Sequence, residues 1–390
     1  MSAILQQAFR NSNFEEVKNI LSSNPSEFES INQYSRAPIY SSLLKNGQFS
    51  ILDILIDKQL IPTDLYEYDT YSNSLFSVLF KDLKDDPEGL FFLENLLSKI
   101  ANIDEVVKNE TLIQLAVGQN AKPLFIQKLI SAGCNPNYKD NSENSYLHLF
   151  LAKHGLDTTL LNEYISLFID EGVDVNAENI LKKTPLFIAV SNNKVNCLTT
   201  LLDNGAQINH QDKDGQSIYY ECIVNKRSYD IAKKLTEYES IDFEKTTNSN
   251  ETILFNFLKN CTENETNLFD LLLEQSADFY QASFYYEMRT PISLLPQIPF
   301  SFFEKAIQTD KIDLHQTDNE GNTLLHTVCN YNLNHDQNKA KELYKKVKFL
   351  LITSLDSDAT NNDDKTALQL ALTDNLKDKI VTLLLNSKPA

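Results

Sequence analysis

Apolar residues along this chain fall into pairs of short helical stripes, and the pairs keep returning. In the stretch KKTPLFIAVSNNKVNCLTTLL, residues 182–202, Leu186, Ile188 and Ala189 make one apolar face. Ser191–Lys194 turns the chain, and Val195, Leu198, Leu201 and Leu202 make a second face at 3.6-residue spacing. Thr184-Pro185 reads as a helix start: the hydroxyl accepts from an orphan N–H, and proline at the first helical position gives up no needed donor. Gly205 stands where a left-handed residue would end the second helix. The predicted element is helix, turn, helix and loop.

The same start recurs at Ala37, Ser74, Thr111, Ser145, Thr184, Ser217, Thr252, Thr290, Thr323 and Thr366. The spacings are 37, 37, 34, 39, 33, 35, 38, 33 and 43 residues, and nine of the ten anchors are Ser or Thr. Two positions on, each unit carries a large apolar residue: Ile39, Phe76, Ile113, Leu147, Leu186, Tyr219, Leu254, Ile292, Leu325 and Leu368. Five positions before the anchor, an Asx residue opens a predicted hairpin tip in Asn32, Asp69, Asp140, Asp212, Asp318 and Asn361. Asp212–Ser217 and Asp318–Thr323 complete the pattern D-x-x-G-x-[ST]. A fixed period of this length is the mark of a repeat array.

On these residues the chain resembles the ankyrin-repeat family, whose unit carries D-x-x-G-x-T-P-L-H-x-A and later G-A-D-V-N. Thr184-Pro185-Leu186, Ser145-Tyr146-Leu147-His148, Thr323-Leu324-Leu325-His326 and Gly172-Val173-Asp174-Val175-Asn176 are its nearest echoes. The resemblance covers nearly the whole chain and implies an all-α ankyrin-repeat solenoid of about ten repeats. Residues 1–31 are expected to form an N-terminal helical cap, 32–282 repeats one to seven, and 283–390 the irregular repeats eight to ten with a C-terminal cap. Pro296 and Pro299 are expected to break the first helix of repeat eight early. Just before it, Phe284-Tyr285-Tyr286 sets aromatics where other units have polar tips.

Composition narrows the partner. The hydrophobic share of 42% is ample for burial. A net charge of −19 repels phosphates, so no nucleic acid is expected as a partner. No stretch approaches the apolar length of a membrane span and the start lacks a signal-peptide pattern, so no membrane insertion is expected. The five cysteines form no C-x-x-C pair, which suits a reducing compartment; a cytoplasmic monomer is the expectation. The Asn/Lys/Ser-rich character resembles ankyrin proteins that intracellular bacteria use as host-directed effectors, which implies, as an alternative, release into a host cytosol without a signal peptide.

Candidate chemistry is sparse. His148 and His326 hold the fourth place of T-P-L-H, where the resemblance implies that the ring bonds backbone across neighbouring hairpins. The other histidines are scattered in turns, and no His/Cys cluster has zinc spacing. Asp85-Asp86 and Asp363-Asp364 lie in predicted turns as solvated charge, and Asp356–Asp363 lacks the glycine and glutamate of a calcium loop. No phosphate-binding or nucleophile motif is present. The chain is therefore expected to be no enzyme, with no cofactor and no metal.

Binding remains. The resemblance implies a concave surface made of hairpin tips and the inner faces of first helices. The candidate contacts are Tyr71, Asn141, Asn144, Lys153, Lys183, Asn192, Lys213, Asp214, Gln216, Asn225, Tyr286, Asn319, Glu320 and Tyr331. The tyrosines stand out because tyrosine supplies hot-spot contacts; for Tyr71, filling between hairpins is the equal alternative. The expected role is a scaffold or adaptor for another protein, and the alternative is an inhibitor or antidote that masks a partner enzyme's active site.

Overall fold

The computed structural model describes residues 2–353 and 355–387. The Ser and Thr anchors stand at helix starts except Ser74, which lies two residues before Phe76–Asp82 and donates its hydroxyl to Tyr71 O at 2.6 Å. Thr111 Oγ1 accepts from Gln114 N at 3.2 Å, and Gln114 Oε1 accepts from Thr111 N at 2.8 Å, a reciprocal cap before Leu112–Gly118. Thr184 Oγ1 takes Phe187 N at 3.3 Å and Ser217 Oγ takes Tyr220 N at 3.1 Å. Each such cap contributes about 1 kcal/mol by satisfying a donor the helix cannot reach. In Ser145 and Thr323 the third helical residue is His148 or His326, whose Nδ1 bonds the anchor hydroxyl at 2.8 and 2.7 Å. His326 Nε2 meets Lys365 O at 3.1 Å, which ties repeat nine to repeat ten as the resemblance implied.

The apolar residue two places on fills the core in seven of the ten units, while Ile39, Ile292 and Leu368 are half-buried. Ile113, Leu147, Leu186, Tyr219, Leu254 and Leu325 are each at most 1% exposed. The period is legible because the side chains share one face of a short helix.

The chain divides into two compact units, Met1–Ile180 with Thr199–Gly205, and Leu181–Leu198 with Ala206–Ala390. In the first, the helix pairs are Ser2–Arg10 with Phe14–Ser23, Arg36–Lys45 with Phe49–Asp57, Phe76–Asp82 with Pro87–Lys99, Leu112–Gly118 with Pro123–Ser131, and Tyr146–Ala152 with Thr158–Asp170. Ala37, the anchor without a hydroxyl, lies inside its helix. The first pair buries Leu5, Ala8, Val17 and Leu21. An aromatic cluster joins the last pairs: the Tyr146 ring lies 5.5 Å from Phe150 and 5.1 Å from Phe168, while its hydroxyl bonds Thr111 Oγ1 at 2.8 Å.

In the second unit the first helices are Pro185–Ser191, Ile218–Tyr220 widening into a π-turn at Glu221–Asn225, Ile253–Lys259, Leu324–Asn330 and Ala367–Ala371. Second helices include Tyr229–Thr236, Thr266–Glu274, Phe300–Gln308, Gln337–Leu350 and Asp378–Asn386. Repeat eight departs as its prolines require. Its first helix shrinks to one 3-10 turn, Pro291–Leu294, and Pro299 then starts the next helix. The carbonyls left there are taken by the ammonium of Lys346, which donates to Pro296 O at 2.7 Å and to Ile298 O. The last three residues of the tail expected as a C-terminal cap, 388–390, lie outside the described residues.

Candidate protein-binding surface

Hairpin tips are built around an acceptor side chain. In the first unit Asp140 Oδ1 accepts from Ser142 N at 2.8 Å and Asn144 N at 2.9 Å, and Oδ2 accepts from Asn144 Nδ2 at 3.0 Å. Burial pushes the Asp140 carboxyl up, but these hydrogen bonds outweigh it and hold it below the usual carboxylate range. In the second unit Asp212 Oδ1 collects Asp214 N and Gln216 N at 3.0 Å each. Asp318 Oδ1 does the same for Glu320 N at 2.9 Å and Asn322 N at 2.8 Å. Gly215 completes its turn at φ +74°, and a Cβ there would sit 2.7 Å from Asn248 N, so both conformation and space demand glycine.

Tips are also tied to one another. Ile180 N donates to Ser142 O at 3.0 Å in the first unit. In the second, Lys213 N donates to Leu181 O, Asn248 N to Asp214 O, and Asn362 N to Glu320 O, each at 2.9 Å. Backbone polar groups are thereby paired inside the protein, which leaves the tip side chains as the part presented to water.

The expected contact residues separate into two groups. Asn141, Lys213, Asp214, Asn319 and Glu320 are exposed on tips, and Tyr286 is 88% exposed. The rest are engaged by neighbouring side chains or backbone, Asn225 while also exposed. Tyr71 is 4% exposed, with Tyr68 at 6.1 Å and Phe76 at 5.8 Å between ring centres, so it fills between elements and presents little surface. Asn144 is held by Asp140. Lys183 Nζ lies 3.8 Å from Asp212 Oδ2 and 4.7 Å above the Phe187 ring. Asn192 Nδ2 caps Ile188 O at 3.0 Å, while Asn225 Nδ2 bridges Gln216 Oε1 at 3.0 Å and Glu221 Oε2 at 2.6 Å. Lys153 Nζ is 4.0 Å from Glu110. Tyr331 is half-buried at the rim of a cavity of about 400 Å³ that Lys346 and Cys261 also line.

Sequence reasoning missed the side chains that latch one repeat to the next. Gln119 Nε2 donates to Phe76 O at 2.7 Å, and its Oε1 accepts from Phe80 N and Lys81 N at 3.1 Å each. Lys377 Nζ donates to Cys329 O at 2.9 Å, and Lys346 closes repeat eight. A lysine in an otherwise apolar helical row, Leu343–Lys346–Leu350, is the one signal the sequence offered.

Other chemistry is quiet. All five cysteines are free thiols, and burial pushes Cys261 up to about 12. Among the described residues no group of three or more His, Cys, Asp or Glu side chains is placed to hold a metal ion. No helix among them is long and apolar enough to cross a membrane.

The model of the family described as ankyrin repeats matches residues 112–212 and 152–247. A protein of Acanthamoeba polyphaga mimivirus described as an ankyrin repeat protein is 24% identical over 223 residues, 46% of this chain and 28% of that one. The E3 ubiquitin-protein ligase KEG of Arabidopsis thaliana is 27% identical over 96 residues, 25% of this chain and 6% of the ligase. The chain thus spans under a third of either relative's length. Among solved structures, the ankyrin repeat domain of Bcl-3 aligns with 63% of this chain and 100% of its own, at 19% identity and a TM-score of 0.48.

Proposed function

The chain belongs to the ankyrin-repeat family, and from that premise we propose that it binds another protein through its hairpin tips and acts as a scaffold or adaptor. Ankyrin repeats are generally protein–protein interaction modules and generally not enzymes. The observation that carries the reading is the division of labour at the tips. Asp140, Asp212 and Asp318 absorb the backbone donors, so Asn141, Lys213, Asp214 and Asn319 stand exposed on a fixed backbone. Side chains posed in this way reach a partner with little loop ordering left to do, which lowers the cost of association.

Site-specific crosslinking tests it. A photoreactive residue is placed at Asn141, Asp214 or Asn319, and for comparison at Asp230, exposed in the second helix Tyr229–Thr236. The expected result is one protein from the source organism's extract crosslinked from tip positions and not from Asp230. Equal yields at all four sites, or a product at Asp230 alone, would sink the reading. A captured enzyme that loses activity in the complex would replace the adaptor role with the inhibitory one.

A further inference from the structure

One tip breaks the polar rule. Strand β1, Ser283–Tyr285, pairs antiparallel with β2, Glu287–Arg289, in the register Ser283↔Arg289, Phe284↔Met288 and Tyr285↔Glu287. Its base is fixed to repeat seven: the fully buried Ser283 accepts from Thr252 N at 3.0 Å, and Lys259 Nζ lies 3.7 Å from the centre of the Tyr285 ring. Its outer part is apolar and open. Phe284 is 47% exposed, Met288 directly across from it 56%, and Tyr286 at the turn 88%. Cross-strand partners share a face, so Phe284 and Met288 form one patch, while the Tyr286 ring at the turn packs on Tyr285 at 4.7 Å between centres. Contiguous exposed apolar surface of this kind marks contact sites, and aromatics with methionine are the types enriched there.

The same hairpin interrupts the tie between tips. Phe284 N donates outward to Asn250 O at 2.9 Å, so Phe284 and Met288 are a non-hydrogen-bonded pair. The N–H and C=O of Met288 therefore point away from β1. The tips of repeats six to eight, and those of repeats nine and ten, are joined by backbone bonds, yet among the described residues none joins 283–289 to 318–322. An open strand edge thus lies beside an apolar patch.

We infer that the β1–β2 hairpin docks an extended basic segment of a partner protein, which pairs with the edge of β2 and lays an apolar side chain on Phe284 and Met288. This deepens the protein-binding reading above and rests on it. Edge pairing supplies backbone bonds, and alternate side chains supply choice. Charge selects the partner. The exposed charge on the hairpin is Glu287, whereas Arg289 and Lys259 are half-buried, and the following tip exposes Asp318 and Glu320. With −19 on the whole chain, lysine or arginine is attracted, while a second copy or an anionic lipid surface is repelled.

The full chain is titrated with a labelled synthetic decapeptide that alternates lysine with leucine and phenylalanine, and with the same peptide carrying glutamate for lysine. The lysine peptide should bind, and the glutamate peptide about tenfold or more weaker. The triple change Phe284→Ser, Tyr286→Ser and Met288→Ser should weaken the lysine peptide by a similar factor; Met288→Ser alone, at an exposed site, serves if the triple variant fails to fold. N-methylation of alternate peptide nitrogens should also weaken it, because the edge bonds are lost. Equal binding by the variants, or by the glutamate peptide, overturns the inference. So does hairpin-dependent sedimentation with phosphatidylserine vesicles, or hairpin-dependent dimerisation, without peptide binding. A partner that still crosslinks from Asp214 while the hairpin variants change nothing leaves the general reading standing and removes this one.

Discussion

At Gln211–Ser217 the chain closes around a carboxylate that is 6% exposed; at Ser283–Arg289 it closes as two short strands with Tyr286 in the open. The difference begins five residues before the anchor. Repeat six has Asp212 there and repeat eight has Tyr285. A carboxylate gathers the turn's N–H groups, so the turn stays small and its outer side chains are free to be polar. A phenol ring gathers none, and strand pairing takes over, helped by aromatic residues that suit a pleated surface. Repeat seven lies between these cases: Thr247 Oγ1 accepts from Ser249 N at 3.3 Å and Glu251 N at 3.2 Å. Gln211 and Ser217 also meet as a single antiparallel bridge, so the two tips differ in whether a carboxylate gathers the turn's donors and in how far the pairing extends.

The strongest way to break the comparison is to remove the wire. Asp212→Ala strips the acceptor from Asp214 N and Gln216 N and the anion from Lys183. Leaving two partly buried donors unsatisfied should cost roughly 2–4 kcal/mol. Tyr286→Ala, at the exposed turn of the paired hairpin, should cost under about 0.5 kcal/mol. Chemical denaturation of both variants reads the contrast; equal losses would mean that the carboxylate does not carry the tip.

Repeat eight has its own concentrated support in Lys346. Its ammonium is 1% exposed, and burial pulls the pKa down to about 8 despite Glu342 nearby. Lys346→Met leaves Pro296 O and Ile298 O without that donor and relieves a buried charge, for a net loss of about 1–3 kcal/mol near neutral pH. The sign of the pH effect follows from protons bound. Between about pH 8 and the ordinary lysine range the unfolded chain keeps the proton that the folded chain has released, so stability contributed at Lys346 rises with pH there. The advantage of the parent over Lys346→Met should grow by on the order of 3 kcal/mol across that window. Buried tyrosines away from Lys346 titrate in both proteins and cancel in the difference, whereas Cys261 is coupled to Lys346, so both proteins are compared in a Cys261→Ser background. A gap in urea midpoints that stays flat or narrows from pH 7.5 to 10 would refute the assignment.

Most of the frame was legible because its signals are local and repeated. A hydroxyl, an apolar residue two places on, and an Asx five places back describe one short helix and one turn, and Thr184, Leu186 and Asp212 sit where that rule puts them. Asn73, Asn109, Asn120 and Asn193 take positive φ, a conformation asparagine tolerates better than other residues with a Cβ. What stayed hidden needs two distant segments at once. Lys346 reads as a solvated charge until the carbonyls of Pro296 and Ile298, some fifty residues earlier, are placed against it. Tyr71 and Tyr286 look alike in sequence; only packing on Tyr68 and Phe76 separates the interior ring from the exposed one.

Lys183 and Lys213 give the smallest effect and the sharpest local contrast. In sequence they are twin cations near two anchors, equally suited to fix a charged partner's register. In the structure Lys183 Nζ faces Asp212 Oδ2 at 3.8 Å and rests over Phe187, while Lys213 is exposed and its backbone is engaged through Leu181 O and Asn248 Nδ2. Lys183→Glu would set a carboxylate against Asp212, whose side chain is 3% exposed. That should cost about 1 kcal/mol of stability, more than the loss of an exposed ion pair. Lys213→Glu should leave the thermal midpoint within about 1 °C, since surface changes away from such pairs stay within about 0.5 kcal/mol. Any loss of partner crosslinking in Lys213→Glu is then a binding effect, whereas a loss in Lys183→Glu mixes binding with repair of the tip. If Lys213→Glu melts as low as Lys183→Glu, the tip side chains are not free of the fold, and the division between wired backbone and presented side chain fails at repeat six.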